Sequence, residues 1–155
     1  MIDLSRVPAF IDCRPIADEE DGWYSWNVGD DTRFNGAVLG DVRVRVEGDR
    51  VRMRMQTELR HANLADNVHG GVTLALIDVS LFSAMNLLGS QDTGRAVTLE
   101  LSNQFVGGGI VGKPLDAVTH VVRETGRLMF LRGDVVQPLD DGEHMVGAFS
   151  GIIRK

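Results

Sequence analysis

Two stretches near residue 50 alternate apolar and polar positions without a break: DVRVRVE (41–47) and RVRMRMQT (50–57), separated by Gly48-Asp49. Side chains alternate across a strand, so this spacing predicts a β-hairpin with one apolar face and one arginine-bearing face. The pattern then changes. From Val72 to Leu88 only Thr73, Asp78, Ser80, Ser83 and Asn86 are polar, and the Leu, Ala and Met content favours helix over strand. A helix apolar nearly all round is expected to be enclosed, and Gly89 stops it. Beyond it, AVTLELSNQFV (96–106), PLDAVTHVVRET (114–125), RLMFLRGDVVQ (127–137) and HMVGAFSGIIR (144–154) predict four more strands with glycine-containing turns between them. GWYSWNV (22–28) is aromatic and β-prone, and residues 1–21 read as an N-terminal arm with room for a short helix. The economical arrangement is α+β: one long central helix wrapped by one curved antiparallel sheet, a single domain over residues 1–155.

Length and composition agree with this. A chain of 155 residues, 43% hydrophobic and 25% charged, has the make-up of a soluble globular domain with an ordinary core. The net charge of −6 offers no electrostatic footprint for nucleic acid or an anionic membrane, although a small anionic ligand responds to local charge. The acid run Asp18-Glu19-Glu20-Asp21 reads as a solvated face. Cys13 has no second cysteine to pair with, and Arg14 is its only evident activator, so an incidental thiol is expected. MIDLSRVPAF lacks the basic and apolar regions of a signal peptide. The helical run is interrupted by Asp78 and Asn86 and is short for a membrane span, so a cytoplasmic location is expected.

Two suggestive patterns carry little. GGGIVGKP (107–114) nearly matches a phosphate loop, but Pro114 supplies no hydroxyl for magnesium and a strand rather than a helix follows. His61, His69, His120 and His144 do not stand at metal-ligand spacing, so no metal is expected; His61 reads as a loop hydrogen-bonder. Met53 and Met55 alternate with Arg52 and Arg54 and read as core packing. Trp23, Tyr24 and Trp26 suit either a pocket lining or an edge strand.

The candidate chemistry lies in HANLADNVHGG (61–71), which feeds the helix. Gly70 and Gly71 fall at its start, where backbone N–H groups lack intrahelical partners. With the positive end of the helix dipole, such donors suit a developing oxyanion. The alternative is a flexible approach to the helix capped by Asn67 or His69. Asp78 is the stronger signal. A carboxylate within an apolar helix is costly to bury unless paired or facing a cavity, and no lysine or arginine occurs between Arg60 and Arg95. It either caps a neighbouring loop or faces a pocket as a base or nucleophile. Asp78 lies seven residues past Gly71, about 10 Å along the axis at ~1.5 Å per residue, too far to serve its own helix N-terminus. Two such helices packed antiparallel in a homodimer would bring each Asp78 beside the other chain's Gly70.

The pattern N-x5-H-G-G-x6-D, formed by Asn63, His69-Gly70-Gly71 and Asp78, resembles the hotdog-fold acyl-CoA thioesterases of the phenylacetic-acid-degradation (PaaI-like) branch. The strand opened by Thr98 fits as well, and the resemblance spans roughly residues 36–154. It implies a hotdog fold and a homodimer, with dimers pairing into tetramers. It implies an acyl-CoA substrate cleaved to free acid and coenzyme A, with no cofactor beyond the coenzyme A of the substrate itself. By the same match Gly70 N–H and Asn63 would polarise the thioester carbonyl, and Asp78 of the other subunit would attack or activate water. Thr98 would position that water, and His69 would orient the loop. Gly71, Arg123 and Arg127 are candidates for contacting the coenzyme A portion, the two arginines being otherwise exposed charges flanking the turn at Gly126. The acidic LADN before the glycines and the Gly107-Gly108-Gly109 run depart from the family pattern and bear on the substrate. A hotdog hydratase or dehydratase, and a non-enzymatic acyl-CoA binding module, are the rival readings.

Overall fold

The computed structural model describes residues 1–17, 22–90 and 96–155; the acid run 18–21 lies outside the described residues. Among the described residues nine strands and one α-helix follow in chain order: β1 (Ile11–Asp12), β2 (Tyr24–Ser25), β3 (Asn27–Val28), β4 (Val42–Glu47), β5 (Arg50–Gln56), α1 (Gly70–Leu88), β6 (Val97–Phe105), β7 (Pro114–Glu124), β8 (Leu128–Leu139) and β9 (Gly142–Arg154). Seven strands form one antiparallel sheet in the order β2-β4-β5-β7-β8-β9-β6, so β6 is an edge strand. The arm begins with a single 3-10 turn (Leu4–Arg6), and its β1 pairs with β3 in a separate two-stranded ribbon.

The hairpin forms as its alternation dictates. Val42, Val44, Val51, Met53 and Met55 point inward and are buried. Their arginine neighbours face outward but are not free in solvent: Arg52 and Arg54 both bind the fully buried Asp116 of β7, at 3.0 Å and 2.7 Å. Arg54 and Arg45 stack on the ring of Trp23 at 4.6 Å and 4.8 Å. Trp23 is therefore a cover for this outer ion cluster, while Tyr24 joins the core.

Helix α1 starts two residues before the apolar run, because His69 caps it: the His69 Nδ1 accepts from Gly71 N–H at 2.9 Å. At the other end the Gly89 N–H closes onto the Met85 carbonyl. Leu76, Ile77, Leu81, Ala84 and Met85 press into the sheet against residues such as Leu115, Met129 and Ile153. The approach is tight enough that a Cβ on Gly151 would meet Leu81 Cδ1 at 2.5 Å. The helical serines satisfy themselves locally, Ser80 Oγ on the Ile77 carbonyl and Ser83 Oγ on that of Ser80.

Full enclosure of α1 does not hold. Leu74 is 37% exposed, and Ala75, Asp78, Val79 and Phe82 are half-buried, forming a stripe at helical spacing that the sheet leaves uncovered. By length and composition α1 would suffice to cross a membrane, yet here its other face is packed on the sheet.

Candidate active site

Asp78 leaves α1 toward the open side of the sheet, where the first residues of β6 meet it. Thr98 Oγ1 donates to Asp78 Oδ1 at 2.7 Å. This contact depends on a bulge: β6 pairs with β9 as Thr98 opposite Ile153 and Glu100 opposite Ile152, leaving Leu99 as an extra residue. The bulge resets the alternation, so Thr98, Leu101 and Asn103 all turn inward although an unbroken strand would send Thr98 outward. No ion pair engages Asp78 among the described residues; its hydrogen bond comes from a neutral hydroxyl, which leaves Oδ2 open.

The carboxylate lines a cavity of about 310 Å³ with largely apolar walls, among them Trp26, Leu39, Val42, Phe82 and Met85. Two segments close it that the hydrophobic pattern gave no reason to place there. Pro8, Phe10 and Ile11 bring the N-terminal arm over it, and a single π-helical turn (Asn35–Leu39) forms another wall. His61 holds that turn. Its Nδ1 accepts from Glu58 N–H at 2.8 Å, so its Nε2 carries the proton and donates to the Val38 carbonyl at 2.7 Å. The His61 carbonyl in turn accepts from His69 N–H at 2.8 Å. One buried histidine thus ties the cavity wall to the loop before α1.

That loop is tightly organised. Asn63 Oδ1 accepts from Ala65 N–H at 2.8 Å and Asn67 N–H at 3.1 Å, and Asp66 takes a positive φ of 60°. Its oxygen being occupied, Asn63 keeps its Nδ2 hydrogens as donors. Asn63 and Gly70 line one open groove together with Phe105, Gly107 and Gly108. The Phe105 ring lies so close that a Cβ on Gly70 would meet it at 3.1 Å. Gly70 N–H has no partner among the described residues. Gly71 differs: its N–H is taken by the His69 cap, so it has no backbone donor left for a ligand.

The candidate residues therefore fall into separate groups within one chain. Asp78 lines the cavity and is bonded to Thr98; Asn63 and Gly70 line the groove at the start of α1, next to the capping His69; neither enclosure includes the other's residues. Arg123 lines a shallow outer groove with Val122, Phe130 and Arg132, and Arg127 is exposed in the turn, so neither meets Asp78 or Gly70. Trp26, but not Trp23, lines the cavity. Cys13 is half-buried; burial, then the neighbouring Asp12 charge, pushes its thiol up, away from a reactive thiolate. No cluster of three metal-ligating side chains occurs among the described residues.

The model of the thioesterase superfamily matches residues 65–141, about half of the chain, spanning the glycine pair, Asp78 and Thr98. No curated protein sequence matches the chain. Among solved structures, the PaaI protein of the Escherichia coli phenylacetic acid degradation operon superimposes with a TM-score of 0.65 at 19% identity, covering 77% of this chain and 81% of that one. Thioesterase superfamily member 2 of zebrafish gives 0.66 at 19% identity, covering 77% and 84%. A mutant of PaaI from Thermus thermophilus gives 0.63 at 23% identity, covering 79% and 97%. At such identities the superpositions speak for the fold, which is the hotdog arrangement of one helix in a wrapped antiparallel sheet. Together with the sequence-family match across Asp78 and its glycine pair, they establish that this chain belongs to the thioesterase superfamily of thioester hydrolases.

Proposed function

We propose that the protein is a PaaI-like acyl-CoA thioesterase whose sites form between two copies of the chain. The observation that carries this reading is Asp78, a carboxylate at an apolar cavity, held by a neutral hydroxyl with one oxygen open. Such a group can take a proton from water while the water oxygen bonds to the thioester carbon. The resulting oxyanion needs fixed donors, and Gly70 N–H with Asn63 Nδ2 supply that chemistry at the positive end of α1. Collapse of the intermediate breaks the carbon–sulfur bond, and the proton held by Asp78 passes to the departing thiolate. Coenzyme A enters the proposal through the family.

Two features support a dimer. The exposed stripe on α1 begins with its most exposed residue, Leu74, which stands midway between Gly70 and Asp78. Antiparallel helices crossing there set Asp78 against the partner's Gly70. The free edge of β6 gives the same answer independently. Pairing β6 with its copy about Ser102 places Asn103 opposite the partner's Leu101, Gln104 opposite its Glu100, and, past the Leu99 bulge, Phe105 opposite its Thr98. Inward side chains then face inward side chains throughout, and the ring on Gly70 meets the hydroxyl on the partner's Asp78. Both pairings call for two-fold symmetry.

Thiol release from a panel of acyl-CoA thioesters tests the reading. Turnover should fall by about a thousandfold or more in Asp78→Asn with the fold retained, in line with the loss of a general base; wild-type turnover in that variant would remove Asp78 from the chemistry.

A further inference from the structure

The cavity beside Asp78 contains a buried, unpartnered polar group that hydrolysis does not use. Asn86 lines the same wall, eight residues further along α1, about 12 Å from Asp78 at ~1.5 Å per residue. It is 6% exposed, and its Oδ1 is buried without a hydrogen-bond partner. No hydrogen bond holds its Nδ2 among the described residues either. With neither end engaged, the amide can turn its oxygen or its nitrogen toward a bound group. Between Asp78 and Asn86 the helix presents only Val79, Phe82 and Met85 to the cavity.

We propose that Asn86 reads the far end of the acyl group, and that the site takes medium-length acyl chains ending in a neutral hydroxyl. The proposal rests on the thioesterase reading, which places the carbonyl at Asp78. Length follows from the separation: about eight to ten staggered carbons, with bonds near 1.5 Å, span it. Volume agrees, since about 310 Å³ is roughly twice a ~150 Å³ cavity that admits benzene. A hydroxyl suits an amide of either orientation, because it both donates and accepts. A plain methyl end would displace water from the amide and return nothing. A terminal carboxylate would shed its hydration in a cavity lined by Asp31, Asp41 and Asp78 and by no lysine or arginine among the described residues.

The contact is remote from the reacting carbon and equally present before and during reaction, so it should act on KM rather than on kcat. The test compares ω-hydroxyoctanoyl-CoA with octanoyl-CoA on the wild type and on Asn86→Leu, which keeps the branching at Cγ and removes the polar atoms. The wild type should show a KM about tenfold lower for the hydroxylated thioester, and Asn86→Leu should reverse the order. Asn86→Ala is a second variant, and should abolish the preference. Equal KM values in the wild type, or a preference that survives both substitutions, would overturn the proposal. Calorimetric titration with the two free acids reads Asn86 apart from catalysis. Hydrolysis of neither thioester would defeat the thioesterase reading, while tighter binding of the hydroxy acid, lost in Asn86→Leu, would still sustain the recognition role; equal affinities would end it.

Discussion

Thr98 Oγ1 and Asp78 Oδ1 stand 2.7 Å apart, joining the start of an edge strand to the middle of the central helix. The bond fixes the rotamer of the carboxylate and commits one of its oxygens, leaving the other for water. Thr98→Val preserves shape and removes the hydroxyl. It should lower kcat by about tenfold to a hundredfold, the worth of a hydrogen bond to a charged group, and Thr98→Ser should restore most of it. Steady-state kinetics of the three proteins decide this, and a valine variant as fast as wild type would reduce Thr98 to packing.

Sites shared between subunits make a stronger demand. An Asp78→Ala chain and a Gly70→Val chain should each be inactive alone, the second because its added side chain runs into the Phe105 ring. A mixed dimer contains one site with both native halves, so random mixing should recover about a quarter of wild-type activity. Recovery is measured after co-refolding two tagged chains, and the isolated mixed species should itself show about half of wild-type activity. Mixed dimers that stay inactive would mean that each chain builds its own site.

Asp116 has no part in the chemistry and much in the stability. It is fully buried, with Arg54 donating to both of its oxygens and Arg52 sharing Oδ2. Asp116→Ala would leave the Arg54 guanidinium against Trp23 without its carboxylate, while Arg52 keeps Glu47 and Glu143. Chemical denaturation should report a loss of about 3 kcal/mol, the penalty for orphaning one side of a buried ion cluster.

Acid should loosen the far end of the sheet first. Partial burial pushes the Glu124 carboxyl up, but hydrogen bonds from Lys155 and Ser90 outweigh it and hold the group at about 2, below its ordinary value of 4.5. A carboxyl depressed by folding stabilises the native state fully above its unfolded value and loses that contribution as pH falls toward the folded one. Between about pH 5 and about pH 2 the wild type should therefore lose stability faster than Glu124→Gln, a difference absent near neutrality. Thermal melts across that range measure it.

Much of this was legible in residue order. Strict alternation over 41–57 marked the hairpin, and an unpaired aspartate in an apolar run marked the helix position facing a cavity. The family, and the hotdog arrangement it implies, came through the resemblance carried by Asn63, the glycine pair and Asp78. What escaped depends on backbone detail or distant contacts. Gly71 was a plausible donor until the extended backbone of His69, with ψ of 134°, aimed a ring nitrogen at its N–H. The wall made by FNGAVLG is a single turn, too short to show a period. Asn86 looked like any polar residue late in a helix; only the packing around it shows that its amide oxygen is buried and unanswered.

The extra residue at Leu99 makes segment length itself a functional variable. Removing one residue between Thr98 and Phe105 would turn the Thr98 hydroxyl to the solvent side and shift every contact proposed across the two-fold axis. The reversal at Asp140–Asp141, by contrast, lies on the rim and joins strands whose ladder is set elsewhere. Loop grafts and added residues belong there, and a designer reshaping this protein has freedom at that hairpin tip that the sixth strand does not offer.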